Sequence, residues 1–208
     1  MNMHKIKVML VDDHSILRTG LAALLSTSDS VEVVGDAETG GMALEKAPKL
    51  QPDVILMDLM MPNMDGTETT RRILEILPQV KVIILTTFGT ADGIGHAIEA
   101  GASGALLKTI KLNELLTAIK TVYHGGQAFS PEIEQILATE PPLPALSARQ
   151  TEILKSVIEG LTNKDIATRL GISSPMVNEH LNAIFAKIGA VNRTEAVAIA
   201  MRKHLLKM

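Results

Sequence analysis

The stretch "VILMDLMMPNMDG", residues 54–66, carries an apolar run, Val54 to Met57, that reads as a short buried strand. The run ends on a carboxylate, Asp58, and continues through Leu59, Met60 and Met61 to Pro62 and an Asp65-Gly66 turn that opens a helix. A charge at the end of a buried strand is costly unless something pairs with it. The residues that gather around Asp58 therefore decide what the chain does.

Apolar runs recur on both sides, at 6–11, 31–35, 53–58, 81–86 and 103–108. Segments of helical period separate or follow them, at about 14–26, 39–49, 66–77, 91–100 and 112–124. Strands this continuous in apolar residues are covered on both faces, and strict strand–helix alternation makes a parallel sheet. The expected class is α/β: a five-stranded, doubly wound parallel sheet followed by a second, all-α helix-turn-helix domain. The expected boundaries are 1–124, a linker over 125–144, and 145–208.

In such a sheet, ligands bind beyond the carboxyl ends of the strands. Asp12 and Asp13 end the first run and Asp58 ends the third, so three carboxylates converge if those strands are neighbours. Their repulsion calls for a cation, and an all-oxygen site with room for water and phosphate suits Mg²⁺. Thr86 and Lys108 end the fourth and fifth runs and can grip phosphoryl oxygens. Together these residues describe the chemistry of an aspartyl phosphate. Each has a plainer reading alone: Asp13 as a helix cap, Thr86 as a turn residue, Lys108 as a solvated strand end. Their common placement argues against that reading.

With no cysteine, the chain has no disulfide, zinc thiolate or thiol nucleophile, which fits a cytoplasmic protein. The core is aliphatic and methionine-rich, because there is no Trp and only one Tyr and three Phe. The run from Val8 to Val11 is too short for a signal peptide, and no stretch approaches the roughly 20 apolar residues of a membrane span. Charge is uneven: residues 1–144 hold 11 Lys+Arg against 18 Asp+Glu, net −7, and residues 145–208 hold 9 against 5, net +4. Two halves of opposite sign imply different partners.

Gly125-Gly126 closes the fifth helix, Pro131 to Thr139 can form a short one, and Pro141, Pro142 and Pro144 stiffen the tether. Beyond it, Ser147 to Gln150 reads as a capping box, Thr162 caps a helix over 163–170, and Gly171 ends it. Pro175 suits the first turn of the next helix, and Asn192 to Glu195 reads as another capping box, with a helix to about Leu206. The two middle helices have helix-turn-helix spacing, with Val177, Leu181 and Ile184 on the core face and the opposite face free for a DNA major groove.

Residues 5–124 resemble the receiver domain of bacterial two-component response regulators, through Asp12-Asp13, "MDLMMPNMDG", Thr86 and Lys108. Residues 145–206 resemble the DNA-binding domain of the NarL/FixJ (LuxR-type) family, through "LSARQTEIL", "GLTNKDIATRLGIS", "VNEHL" and "KIGAVNRTEAV". The resemblance implies a flavodoxin-like receiver in which Asp58 accepts a phosphoryl group from a sensor histidine kinase. It implies Mg²⁺ held by Asp13, Asp58 and the Met60 carbonyl, with Asp12 acting through water. Thr86 and Lys108 are the implied phosphoryl-binding switch residues. Double-stranded DNA is the implied second partner, met by Lys164, Asn178, Glu179, His180, Asn182, Lys187 and Arg193, and a homodimer is expected on phosphorylation or on DNA. The aromatic that receivers carry three residues before the lysine is Ala105 here, Thr109 replaces the proline after it, and Asn178 replaces the usual lysine of the recognition helix. Asn178 can instead read adenine by a bidentate contact.

The expected function is therefore a phosphorylation-controlled transcription regulator and not an enzyme. A phosphatase with an aspartate nucleophile would place a second aspartate where Met60 stands. The alternative is a receiver that acts through protein contacts, its helical half weakened as a DNA reader. Between residues 175 and 188 the formal charge is zero, so basic help must come from Lys164, Arg169, Lys187 and Arg193.

Overall fold

The computed structural model describes residues 5–87, 91–139, 143–144, 146–202 and 205. Pro141 and Pro142 of the tether and Leu206 at the expected helix end lie outside the described residues. The chain divides into two compact units, Met1–Pro142 and Leu143–Met208.

In the first unit, strands β1 (Ile6–Val11), β2 (Val31–Ala37), β3 (Val54–Asp58), β4 (Lys81–Thr86) and β5 (Gly104–Leu107) alternate with helices α1 (Ser15–Ser26), α2 (Gly40–Leu50), α3 (Gly66–Ile76), α4 (Ala91–Glu99) and α5 (Leu112–Tyr123). Every strand pair is parallel. Successive side chains leave opposite faces of a strand, so each run feeds two cores. Met9, Val11, Ile55, Met57, Val82 and Ile84 fill one, and Val8, Leu10, Val54, Leu56, Ile83 and Leu85 fill the other. Each fully buried aliphatic side chain contributes about 2 kcal/mol.

The sheet has six strands, not the expected five, in the order β2-β1-β3-β4-β5-β6. The sixth, β6 (Ala128–Phe129), lies within the expected linker, and α6 (Pro131–Thr139) follows it. Ala128 and Phe129 pair with Gly104 and Ala105, and Ile133 of α6 is buried in the core. Residues 128–139 are therefore part of the first unit rather than of a free tether. A two-residue strand has no alternation to betray it in sequence. Its docking depends on Gly104, where a Cβ would stand 2.3 Å from the Ala128 carbonyl oxygen.

The second unit is a bundle of α7 (Ala148–Ile158), α8 (Asn163–Leu170), α9 (Ser174–Ile188) and α10 (Arg193–Arg202). Reciprocal capping boxes start α7 at Ser147 and α8 at Thr162, and Gly171 takes the left-handed turn, φ 64°, between α8 and α9. The expected box at Asn192 is only half formed. Asn192 Oδ1 accepts from the Glu195 amide, but Glu195 Oε2 takes the Val191 amide instead of that of Asn192. Ile153, Leu154, Ile166, Val177, Leu181, Ile184 and Ile199 form the core.

Candidate functional site

The chain winds from β1 outward to β2 and then returns to β3 on the other side of β1. The carboxyl ends of β1 and β3 therefore lie side by side at a switch in winding direction, where an α/β sheet opens a crevice. Asp58, the last residue of β3, is 4% exposed, and Asp12, just after β1, is 7% exposed. The Lys108 ammonium, just past β5, reaches across to both: its Nζ is 2.8 Å from Asp12 Oδ2 and 3.0 Å from Asp58 Oδ2. Asp12 therefore contacts Lys108 directly.

The loop after Asp58 is built close to it. A Cβ on Gly66 would stand 2.2 Å from the Asp58 carbonyl oxygen, so only glycine admits the start of α3 there. The Asp65 side chain caps α3 through the Glu68 amide. The exposed Met60 donates its amide to Asp58 Oδ1 at a long 3.5 Å. Thr86, the buried last residue of β4, gives its carbonyl to the Lys108 amide at 2.8 Å, which ties the two strand ends together.

Two neighbours of the cluster were not picked out in the sequence. His14 Nδ1 lies 2.8 Å from Asp13 Oδ1 and 3.3 Å from Asp12 Oδ1. Arg18 donates to the Asp12 carbonyl and to Asp36 Oδ2. The only available signal was spacing, since His14 and Arg18 stand four apart in the first turns after the aspartates. Asp13 does not cap α1. His14 occupies that position without a side-chain capping bond, and Asp12 Oδ1 accepts the His14 amide.

Burial lifts the Asp58 carboxyl above the ordinary carboxylate range. The nearby Asp12 charge adds to this, and the Lys108 ammonium offsets part of it. Burial alone would depress the Lys108 ammonium, but bonds to Asp12 and Asp58 outweigh that and raise it. One ammonium cannot neutralise three carboxylates. Ligand atoms of Asp12, Asp13, His14 and Asp58 lie within 4.8 Å of one another. This oxygen-rich, net negative cluster has the chemistry of a hard divalent-cation site.

In the second unit, Val177, Leu181, Ile184 and Ile188 bury one face of α9, while Asn178, Glu179 and Asn182 are exposed and His180 is half-buried. Lys164 on α8 is exposed. The other cations expected to face DNA have partners within the unit. Lys187 donates to Gln150 Oε1 at 3.0 Å, Arg169 pairs with Glu159, and Arg193 bonds Asn163 and the Leu161 carbonyl.

Comparison with known proteins matches residues 8–120 to the response regulator receiver domain and residues 144–200 to the luxR family of bacterial regulatory proteins. The chain belongs to the LuxR-type response regulators. The response regulator protein VraR of Staphylococcus epidermidis is 36% identical over 97% of this chain and 99% of its own, and that of Staphylococcus aureus matches equally. The crystal structure of response regulator ChrA from a heme-sensing two-component system is 38% identical, with a TM-score of 0.57 over 97% of this chain and 99% of that one. The RcsB–DNA complex shares the fold at 23% identity, with a TM-score of 0.66 over 95% of this chain and 98% of that one. This LuxR-type regulator thus joins a receiver to a helix-turn-helix domain of a kind that regulates transcription. Among its described residues, no helix is long and apolar enough to cross a membrane.

Proposed function

We propose that Asp58 is the phosphoryl acceptor through which a sensor histidine kinase controls this regulator. The supporting observation is the Asp58 carboxylate, buried at a strand end with Lys108 Nζ 3.0 Å away and Asp12 and Asp13 beside it. An Asp58 carboxylate oxygen attacks the phosphorus of the kinase's phosphohistidine. The P–N bond breaks, and the imidazole leaves with the electron pair and takes up a proton. Asp13, Asp58 and the Met60 carbonyl, with Asp12 nearby, would hold Mg²⁺, which would supply positive charge to offset the crowded carboxylates and phosphoryl oxygens. Lys108 moves from the carboxylates to the phosphoryl oxygens, and Thr86 offers its hydroxyl to the same group. The protein works in the cytoplasm as a regulator without turnover of a substrate.

Output is binding of double-stranded DNA by the second unit, through Lys164, Asn178, Glu179, His180, Asn182, Lys187 and Arg193, as a homodimer. The engagement of Lys187, Arg169 and Arg193 within the unit favours a second reading, in which the receiver acts mainly through protein contacts. Electrophoretic titration of duplex DNA with and without acetyl phosphate and Mg²⁺ separates the two. Phosphorylation tightens wild-type binding and leaves Asp58→Asn unchanged on the first reading. No binding in either state selects the second.

A further inference from the structure

Arg18, on the first turn of α1, ties the acidic crevice to β2 at the edge of the sheet. Its Nη1 donates to the Asp12 carbonyl at 2.7 Å, and its Nε donates to Asp36 Oδ2, on β2, at 2.6 Å. The Arg18 side chain is 15% exposed, so water competes little for either bond. Asp36 is held in turn, because Lys46 on α2 donates to its carbonyl at 2.7 Å. The Asp12 amide donates to the Ala37 carbonyl at 3.1 Å. Both backbone groups of Asp12 are thereby pinned from outside the crevice.

The carbonyl that Arg18 grips belongs to the same planar unit as the Asp13 amide. Holding that unit fixes the direction in which Asp13 leaves the chain. Asp13 is the most open of the three carboxylates, its side chain 29% exposed while Asp12 and Asp58 are buried, so packing constrains it least. Resting on the Mg²⁺ reading above, we propose that Arg18 is a positioning residue, anchored by Asp36, that holds the Asp12-Asp13 peptide so that Asp13 meets the metal. Outer contacts that orient metal ligands contribute roughly ten- to a hundredfold in affinity. Charge acts in the opposite direction. A cation beside the crevice repels Mg²⁺, so removing it as a charge alone would tighten binding. The sign of the effect therefore separates positioning from electrostatics.

Calorimetric titration of the full-length, unphosphorylated protein with Mg²⁺ tests this, with Arg18→Met, Arg18→Lys, Asp36→Ala and Asp36→Asn alongside. Arg18→Met should bind Mg²⁺ roughly tenfold more weakly. Arg18→Lys, which keeps a donor for the Asp12 carbonyl, should recover most of that loss. Asp36→Ala and Asp36→Asn lose the same charge, but only Asn keeps an acceptor for the Arg18 Nε. Asp36→Ala should therefore bind more weakly than Asp36→Asn, and equal affinities overturn the anchoring. This pair also decides should Arg18→Met fail to fold. In labelling with acetyl phosphate, the Mg²⁺ concentration that gives half the maximal rate should rise roughly tenfold in Arg18→Met. The rate at saturating Mg²⁺ should stay within about twofold of wild type, since Arg18 is not given a contact with the phosphoryl group. Unchanged or tighter Mg²⁺ binding in Arg18→Met overturns the proposal, even where its melting temperature falls, because the arginine would then be a packing contact. So does an Arg18→Lys protein as weak as Arg18→Met. If the wild type binds Mg²⁺ but takes no label, the Asp58 reading fails and the titration still decides. If the wild type binds no Mg²⁺, the metal reading fails and the proposal falls with it.

Discussion

The Lys108 ammonium is 3.0 Å from the Asp58 carboxylate, and both groups are nearly closed to solvent. The same ammonium holds Asp12 at 2.8 Å, so it acts as the resident counter-ion of the acidic crevice. A phosphoryl group on Asp58 would offer it oxygens of higher charge, and Lys108 would leave the carboxylates for them. The Lys108 amide donates to the Thr86 carbonyl, so such a movement would be felt at the end of β4.

Replacing Lys108 with Ala should therefore leave phosphorylation possible and uncouple it from output. Acetyl phosphate should still label the variant, while phosphorylation-dependent tightening on DNA is lost by at least about tenfold. Unchanged tightening would contradict the role given to the ammonium.

Asp58→Asn should raise the melting temperature in metal-free buffer at neutral pH. The Asp58 carboxyl is raised, chiefly by burial, so the fold favours its protonated form and loses stability as pH climbs through the folded value. An amide does not incur that loss. The advantage of the variant should be absent in strong acid, grow as pH rises past the ordinary aspartate value, and level off only above the raised folded value. Mg²⁺ should narrow it by stabilising the wild type. Thermal melts over a pH series check the sign, and a variant less stable at neutral pH without metal would contradict it.

Gly104→Ala should cost about 2 kcal/mol and release β6, because the new Cβ meets the Ala128 carbonyl. Hydrogen exchange at the Ala128 and Ser130 amides, which bond Ser103 and Ala105, should accelerate ahead of the rest of the sheet. Equal protection in both proteins would mean that β6 accommodates the methyl.

Asn178→Lys should steepen the salt dependence of DNA binding by about one counterion per subunit. Binding titrations at several salt concentrations read the slope directly. An unchanged slope would mean that position 178 does not approach the DNA backbone.

The crevice was legible because its residues end long apolar runs: "IKVMLV" before Asp12 and "VILM" before Asp58 fix strand and edge at once. Asp65 as a cap and Gly171 as a left-handed stop were legible for the same local reason. β6 was not, since two residues show no period and its docking depends on the missing side chain of Gly104, far away in sequence. Nor was the commitment of Arg193 and Lys187 to partners inside the bundle. A cation in sequence looks the same whether it faces a phosphate or an asparagine 30 positions earlier.

The central claim is that Asp58 accepts the phosphoryl group. Intact mass after incubation with acetyl phosphate and Mg²⁺ measures it most directly, with the wild type and Asp58→Asn side by side. The wild type should gain one acid-stable, base-labile phosphoryl group, and Asp58→Asn should gain none. A phosphoryl group that persists in Asp58→Asn would contradict the account.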